Sequence, residues 1–496
     1  MTHGRIALLP LDDRPPTLLF PQRIAAIAGI DMIVPPRELL GRFLQPGDTA
    51  ALADWLQAVA SDVDALVVAV DMLAFGGLIA SRSPCRSLEE ALSSVSILER
   101  IRHDHPALPI LAASVIMRIS VTSSNAQVRQ HYLNLIRYSE LQYLVEEMGR
   151  LDLMDELAQL SGVLPRDILD AYLRARKRNH AVNQQMLTYR AQGVVSSLVL
   201  VQEDASTAGP HLVEQQALRE RARTLGVDQD TWIYPGADEG TQTLLARLIN
   251  ADDPPRFEVR WTSEAGADSV APFEDRPIRQ TAHAHVVAAG GQIDSHDAEI
   301  VLWVHTPCTH TEVAHAANEL ARLTAAGRMV ALADVRHPNG ADPELMAALR
   351  ERGVLPQLAA YAGWNTAGNT LGTTIAHVSA WRSALRQGAL PGQRAAHQRF
   401  LWERYVDDWG YQSVVRPAVE ADLRARGIDA LHLGRDSAAV ESVVRQQLLC
   451  WARALWTTGG WSGVAPTLDV RLPWPRTFEV EATVPDTDDC DQGATR

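Results

Sequence analysis

The sequence predicts an α/β fold built on parallel sheets. Three observations carry that expectation: short apolar runs recur along the chain, helical patterns separate most of them, and polar residues gather just beyond the runs' carboxyl ends. A buried parallel strand reads as an unbroken apolar run rather than an alternating one, because both of its faces are covered.

In order, the strands expected are Ile6–Leu9, Met32–Val34, Ala65–Val70, Ile110–Val115, Ser197–Val201 and Trp232–Tyr234. Then come Glu258–Trp261, Glu299–Val304, Met329–Ala333 and Gln357–Ala360. Helical patterns lie between them, at Thr49–Ala60, Leu88–Arg102, Leu212–Leu225 and Glu312–Ala325. Residues 123–190 read as helix throughout, an inserted helical subdomain between strands. Asn250-Ala-Asp-Asp-Pro-Pro255 is the best boundary signal. The organisation expected is an N-terminal α/β part over 1–250, a second over 256–380, and a mostly helical region over 381–496. That last region ends in a Pro-rich stretch and an acidic tail, Asp486 to Asp491, expected to be disordered.

A faint internal repeat supports two α/β parts facing one cleft. Pro10-Leu-Asp-Asp-Arg-Pro15 is echoed by Pro272-Phe-Glu-Asp-Arg-Pro277, and each precedes an Ala-rich helical segment ending in Gly. The alternative is a (β/α)8 barrel with additions, although the strands exceed a plain eight-stranded barrel.

The chain has 496 residues, 46% hydrophobic and 21% charged, the composition of a soluble globular protein. A net charge of −14 with no compensating Lys/Arg run argues against nucleic acid as a partner. The Arg174–Arg178 cluster reads as a solvated helix face. No apolar run reaches membrane-spanning length, and Met1 to Arg5 lacks a signal-peptide layout, so a cytoplasmic protein is expected. Cys85, Cys308, Cys450 and Cys490 are scattered, with neither a disulfide framework nor a thiolate zinc site.

In parallel α/β folds functional groups collect beyond the carboxyl ends of the strands. There the sequence places Asp12, Asp13 and Arg14, then Asp71 followed by Gly76-Gly77 and Arg82, then Arg118. Glu203-Asp204 and Asp238-Glu239 follow, and later His305, Asp334, Asn339 and Gly363-Trp364-Asn365-Thr366. A carboxylate after a strand is often only a helix cap, but caps do not account for all of these together. Serine-elbow, Walker, dinucleotide and zinc-helix signatures are absent.

These motifs resemble a family. Pro-Leu-Asp-Asp-Arg-Pro at 10–15, the Asp71 to Arg82 segment, Pro-Gly-Ala-Asp-Glu at 235–239 and Gly-Trp-Asn-Thr-Ala-Gly-Asn-Thr-Leu-Gly-Thr at 363–373 look like a bacterial domain-of-unknown-function family, number four-one-two-seven. The likeness covers nearly the whole chain and implies no reaction.

Function is therefore read from the residues. The expectation is a carboxylate-dependent hydrolase, a glycoside hydrolase acting on a small saccharide, with its acid/base pair drawn from Asp238, Glu239, Asp12 and Asp13. Arg14, Asp71, Arg82, Arg118, Asp204 and Asn365 are expected to bind substrate, with Trp364 as a stacking face. The arginines raise an acidic substituent as an option. No cofactor is expected. The alternatives are a Mg²⁺- or Mn²⁺-assisted hydrolase, lyase or isomerase using Asp12, Asp71, Asp238 and Asp334, or a non-catalytic sugar-binding protein. Oligomeric state is not legible in the sequence.

Overall fold

The computed structural model describes residues 4–120, 122 and 126–485. Its framework is two open parallel sheets rather than a closed barrel. The first comprises β1 (Arg5–Leu9), β2 (Asp31–Ile33), β3 (Ala65–Ala69), β4 (Ile110–Ile116), β5 (Ser197–Gln202) and β6 (Thr231–Pro235), in the order β2-β1-β3-β4-β5-β6. The second comprises β7 (Arg256–Trp261), β8 (Gln292–Ile293), β9 (Ile300–His305), β10 (Met329–Asp334) and β11 (Ala360–Ala362), in the order β11-β10-β9-β7-β8. Every pairing within these two sheets is parallel.

The two orders match: β2-β1-β3-β4 in the first sheet is β8-β7-β9-β10 in the second. The sequence echo falls on equivalent ground. The loop with Asp12-Asp13-Arg14 follows β1 and feeds helix Pro15–Ala28. The loop with Glu274-Asp275-Arg276 follows β7 and a short helix, and feeds helix Ile278–Ala288. Both helices lead to an edge strand through a left-handed glycine, Gly29 at φ 76° and Gly290 at φ 79°, the backbone region in which glycine carries no Cβ penalty.

One apolar core runs through both sheets, because the helices between them bury more than one face. Helix Ala367–Arg386 is the clearest case, with an unbroken buried run from Ala367 to Ala380. Its first turns lie hard against the end of β6. A Cβ on Gly368 would run into the Pro235 carbonyl oxygen, and one on Gly372 into the Glu239 side chain. These glycines sit four residues apart on one helix face, which explains their spacing in the Gly363–Thr373 motif. A second apolar core joins the outer face of the second sheet to the C-terminal helices.

Between β4 and β5 the chain is helical, with helices Ala126–Glu146, Met154–Val163 and Arg166–Ala191. After β11 it is helical again as far as Thr458, including an eleven-residue π-helical stretch, Tyr405–Val415. A small antiparallel pair, β12 (Asp469–Arg471) and β13 (Glu481–Thr483), closes the described chain. The acidic tail from Asp486 lies outside the described residues. Among the described residues no helix is long and apolar enough to cross a membrane.

The Arg174–Arg178 cluster is not a solvated face, because Arg176 is buried against Glu214 and Arg178 is buried donating to the Ser81, Ser83 and Arg86 carbonyls. Three elements also differ from expectation. Leu88–Arg102 is two helices, Leu88–Val95 and Ile97–Asp104, broken at Ser96. β8 is two exposed residues with no pattern to read. The last strand of the second sheet is Ala360–Ala362, because Leu355–Gln357 is a 3₁₀ turn with Pro356 at its second position.

Candidate functional site

Pro15 and Pro16 start the helix after β1 and leave Arg14 at its N-cap, with extended backbone. The loop is held by Asp12, which accepts from the Arg14 backbone N–H at 3.1 Å and from the Thr17 hydroxyl at 2.7 Å. The Arg14 guanidinium then bridges two carboxylates. It donates from Nε (2.8 Å) and Nη2 (2.6 Å) to Asp12, and from Nη2 (2.6 Å) and Nη1 (3.2 Å) to Asp238, which arrives from the loop after β6. Glu479 lies 3.5 Å from Nη1, and the guanidinium sits over the Trp474 ring at 5.0 Å. All of this is buried: Arg14 is 5% exposed and Asp238 3%.

One positive charge thus serves three nearby carboxyl groups. Burial pushes the Asp238 carboxyl up to about 7; Arg14 opposes that rise and Asp12 adds to it. The backbone N–H groups of Ala237 (3.3 Å) and Asp238 (3.0 Å) donate to the Asn369 side-chain oxygen, fixing the loop against helix Ala367–Arg386. The Asn365 amide donates to Asp238 at 3.4 Å.

Asp238 and Arg14 line a cleft of about 390 Å³ at the carboxyl ends of the first sheet's strands. Arg82 comes from beyond β3, Arg118 from beyond β4, and Glu203 and Asp204 from beyond β5. Arg82 pairs with Glu203 and donates to the Thr122 hydroxyl at 2.8 Å. Arg118 pairs with Asp204 at 2.5 Å and donates to the Tyr132 hydroxyl at 2.9 Å, so the helical insertion reaches the cleft wall. The second sheet adds Asn339 and Asn365, and the C-terminal segment adds His432, Arg476 and Phe478.

Backbone conformation marks the same place independently. Among the described residues four non-glycine residues have positive φ: Phe43 (50°), Phe273 (69°), Asn339 (59°) and Asn365 (53°). All four line this cleft. Asparagine tolerates that region, whereas for phenylalanine it costs of order 1–3 kcal/mol and persists only where surrounding structure imposes it.

Of the residues expected from sequence, Arg14, Arg82, Arg118, Asp204, Asp238 and Asn365 meet in the cleft. Five stand elsewhere. Glu239 is fully buried and turned back, accepting from the Ala237 N–H at 2.8 Å and meeting His285 Nε2 at 3.3 Å. Asp12 stands behind Arg14. Asp13 accepts from the Trp474 indole at 2.6 Å, and burial is the main force raising its carboxyl. Its loop borders a different surface hollow, formed with Arg37 and Arg42. Asp71 accepts from the Val115 N–H at 2.8 Å, tying the end of β3 to β4, and burial lifts its carboxyl to about 7. Trp364 is 7% exposed, packs edge-on to Phe20 at 5.6 Å between ring centres and donates to Thr373; it lies outside the cleft and borders only a small hollow of about 20 Å³ shared with Arg14 and Asn365. The aromatic side chains lining the cleft are Phe43, Tyr132, Phe273 and Phe478.

Asp12, Asp71, Asp238 and Asp334 do not converge as a cation site would require. Arg14 stands between Asp12 and Asp238, while Asp71 and Asp334 each accept from a backbone N–H, of Val115 and Asp342. Among the described residues no group of three His, Cys, Asp or Glu side chains is placed to hold a metal ion. His305 is likewise enclosed. Its Nδ1 meets Thr262 (2.9 Å) and its Nε2 meets Asp342 (2.8 Å), a carboxyl that Arg336 also contacts.

A family model, described as protein of unknown function (DUF4127), matches residues 6–483. The chain belongs to this family. No curated protein matches it. The match spans both sheets and the C-terminal segment, so the cleft of this DUF4127 protein lies wholly within the matched region.

Proposed function

We propose that this DUF4127 protein is a carboxylate-dependent hydrolase acting on a small, neutral, saccharide-like substrate. The observation that carries the reading is Asp238: a carboxyl on the cleft wall, held by Arg14 and Asn365, with an affinity for protons near neutrality. A group poised there gives up and regains a proton at working pH, which is what a general acid must do. Glu203 supplies the second carboxyl group. It lies beyond β5, the immediate neighbour of β6, whose following loop carries Asp238. A pair of carboxyl groups, one to give a proton and one to take it or to attack, is what hydrolysis of a glycosidic bond requires.

The rest of the wall favours a hydroxylated ring. Phe43, Phe273 and Phe478 offer apolar faces, and Asn339 and Asn365 bring amide side chains that carry both donors and acceptors. Charge favours neutrality: Arg14, Arg82, Arg118 and Arg476 each already contact a carboxylate of the protein. An anionic substituent would have to displace one of these, so the arginines support an uncharged substrate better than an acidic one.

The test is a panel of chromogenic aryl glycosides, neutral, N-acetylated and acidic. Release from a neutral sugar is expected, fastest below pH about 7 and falling as Asp238 loses its proton. Silence across the panel, or release from acidic sugars alone, overturns the reading.

A further inference from the structure

A second cavity, of about 550 Å³, opens beside the first. The two share Ile79, Arg82 and Thr122, so they lie side by side against the same residues. The cleft carries Asp238 and its asparagine side chains, whereas the second cavity is lined by Leu44, Pro46, Phe75, Pro84 and Ile168, with Arg86 and Asp167 among its polar residues. Leu44 is left 41% exposed at its edge. Arg82 stands at the junction. It is only 9% exposed, its Nη atoms are taken by Thr122 and Glu203, and among the described residues its Nε has no hydrogen-bond partner.

We propose that the second cavity is an apolar subsite of the same ligand site, taking an alkyl or aryl arm whose polar end lies beside Asp238. The substrate class is then a glycoside with an apolar aglycone; the glycoside part of that statement rests on the hydrolase reading above, and the apolar arm does not. Each methylene buried in such a subsite raises affinity roughly fourfold.

Cys85, an exposed free thiol on this cavity's wall, is the reporter, and Cys450, exposed on helix Ser437–Thr458, is the internal control. The intact protein is alkylated with iodoacetamide and each cysteine followed by peptide mass mapping. Three probes are compared: methyl β-D-glucoside, n-octyl β-D-glucoside below its micelle-forming concentration, and 1-octanol. The octyl glucoside and octanol are expected to slow Cys85 at least about threefold at saturating concentration. Methyl glucoside should leave Cys85 unchanged, and no probe should alter Cys450. Ala171→Trp, which fills the cavity from helix Arg166–Ala191 at a position outside the cleft, should abolish the protection. Unchanged alkylation of Cys85 with both octyl probes, or equal slowing at Cys85 and Cys450, overturns the subsite. The two readings fail separately: glycoside turnover with an unprotected Cys85 removes the subsite alone, and protection with a silent glycoside panel removes the hydrolase alone.

Discussion

Asp238→Asn is expected to lower turnover by about 10²–10⁴-fold, the range removed with a general acid or base. The substitution keeps the shape and leaves Arg14 paired with Asp12 and close to Glu479, so the fold should persist. Binding of substrate should change far less than turnover, because Asn365, Asn369 and the phenylalanine faces are untouched. Steady-state kinetics beside a thermal melt separates the two effects. Glu239→Asn is the useful contrast. Glu239 touches His285 and the Ala237 N–H inside the core, so its loss should lower stability, with kcat following only through the shape of the Asp238 loop. Full activity in Asp238→Asn would remove the proton-transfer role.

Arg14→Met is expected to give the largest loss of stability of any single change at the site, about 3–5 kcal/mol. Methionine fills much of the volume but leaves Asp12, Asp238 and Glu479 buried with no cation between them. Stability by urea unfolding at pH about 8, above the value near 7 to which burial lifts Asp238, reads the effect. Adding Asp12→Asn to Arg14→Met should recover part of it, since the remaining charges repel less. A loss below about 1 kcal/mol, the worth of an ordinary surface ion pair, would show that Arg14 does not hold this cluster together.

Much of the framework was legible because buried parallel strands are written as apolar runs. Ile6–Leu9, Ala65–Val70 and Met329–Ala333 could be little else, and the helical stretch before Arg190 contained no such run. β8 was not legible because two exposed residues bury nothing. The Asp-Asp-Arg-Pro echo gained meaning only from the matching strand orders, which no periodicity contains. At the site, strand ends pointed to Arg14, Arg82, Arg118, Asp204 and Asp238. They could not distinguish Asp238 from Glu239. Adjacent residues on a tight turn face opposite ways, and which one faces out is decided by Asn369 catching the backbone and His285 catching Glu239.

The Gly-Trp-Asn motif around Trp364 is conspicuous in sequence, whereas Phe43, Phe273 and Phe478 are isolated in loops. Their common feature is tertiary: Phe43 and Phe273 have positive φ, and Phe478 comes from the far end of the chain. The available signal for that last segment was Trp474-Pro-Arg-Thr-Phe-Glu479, aromatics and a charge pair crowded into a Pro-rich run. It returns to the first sheet through Trp474 to Asp13 and Arg37 to Glu481.

The measurement that tests the account most directly is a ¹³C NMR titration of aspartate carboxyls in the wild-type protein and in Asp238→Asn. Asp71 is also lifted to about 7 and Asp408 to about 8 by burial, so the comparison, rather than one spectrum, makes the assignment. The account predicts a resonance that titrates near pH 7 in the wild type and is missing from the variant, with those of Asp71 and Asp408 retained. If the resonance missing from the variant titrates below pH about 5, in the ordinary carboxylate range, Asp238 is a fixed partner of Arg14 and no proton donor at neutral pH.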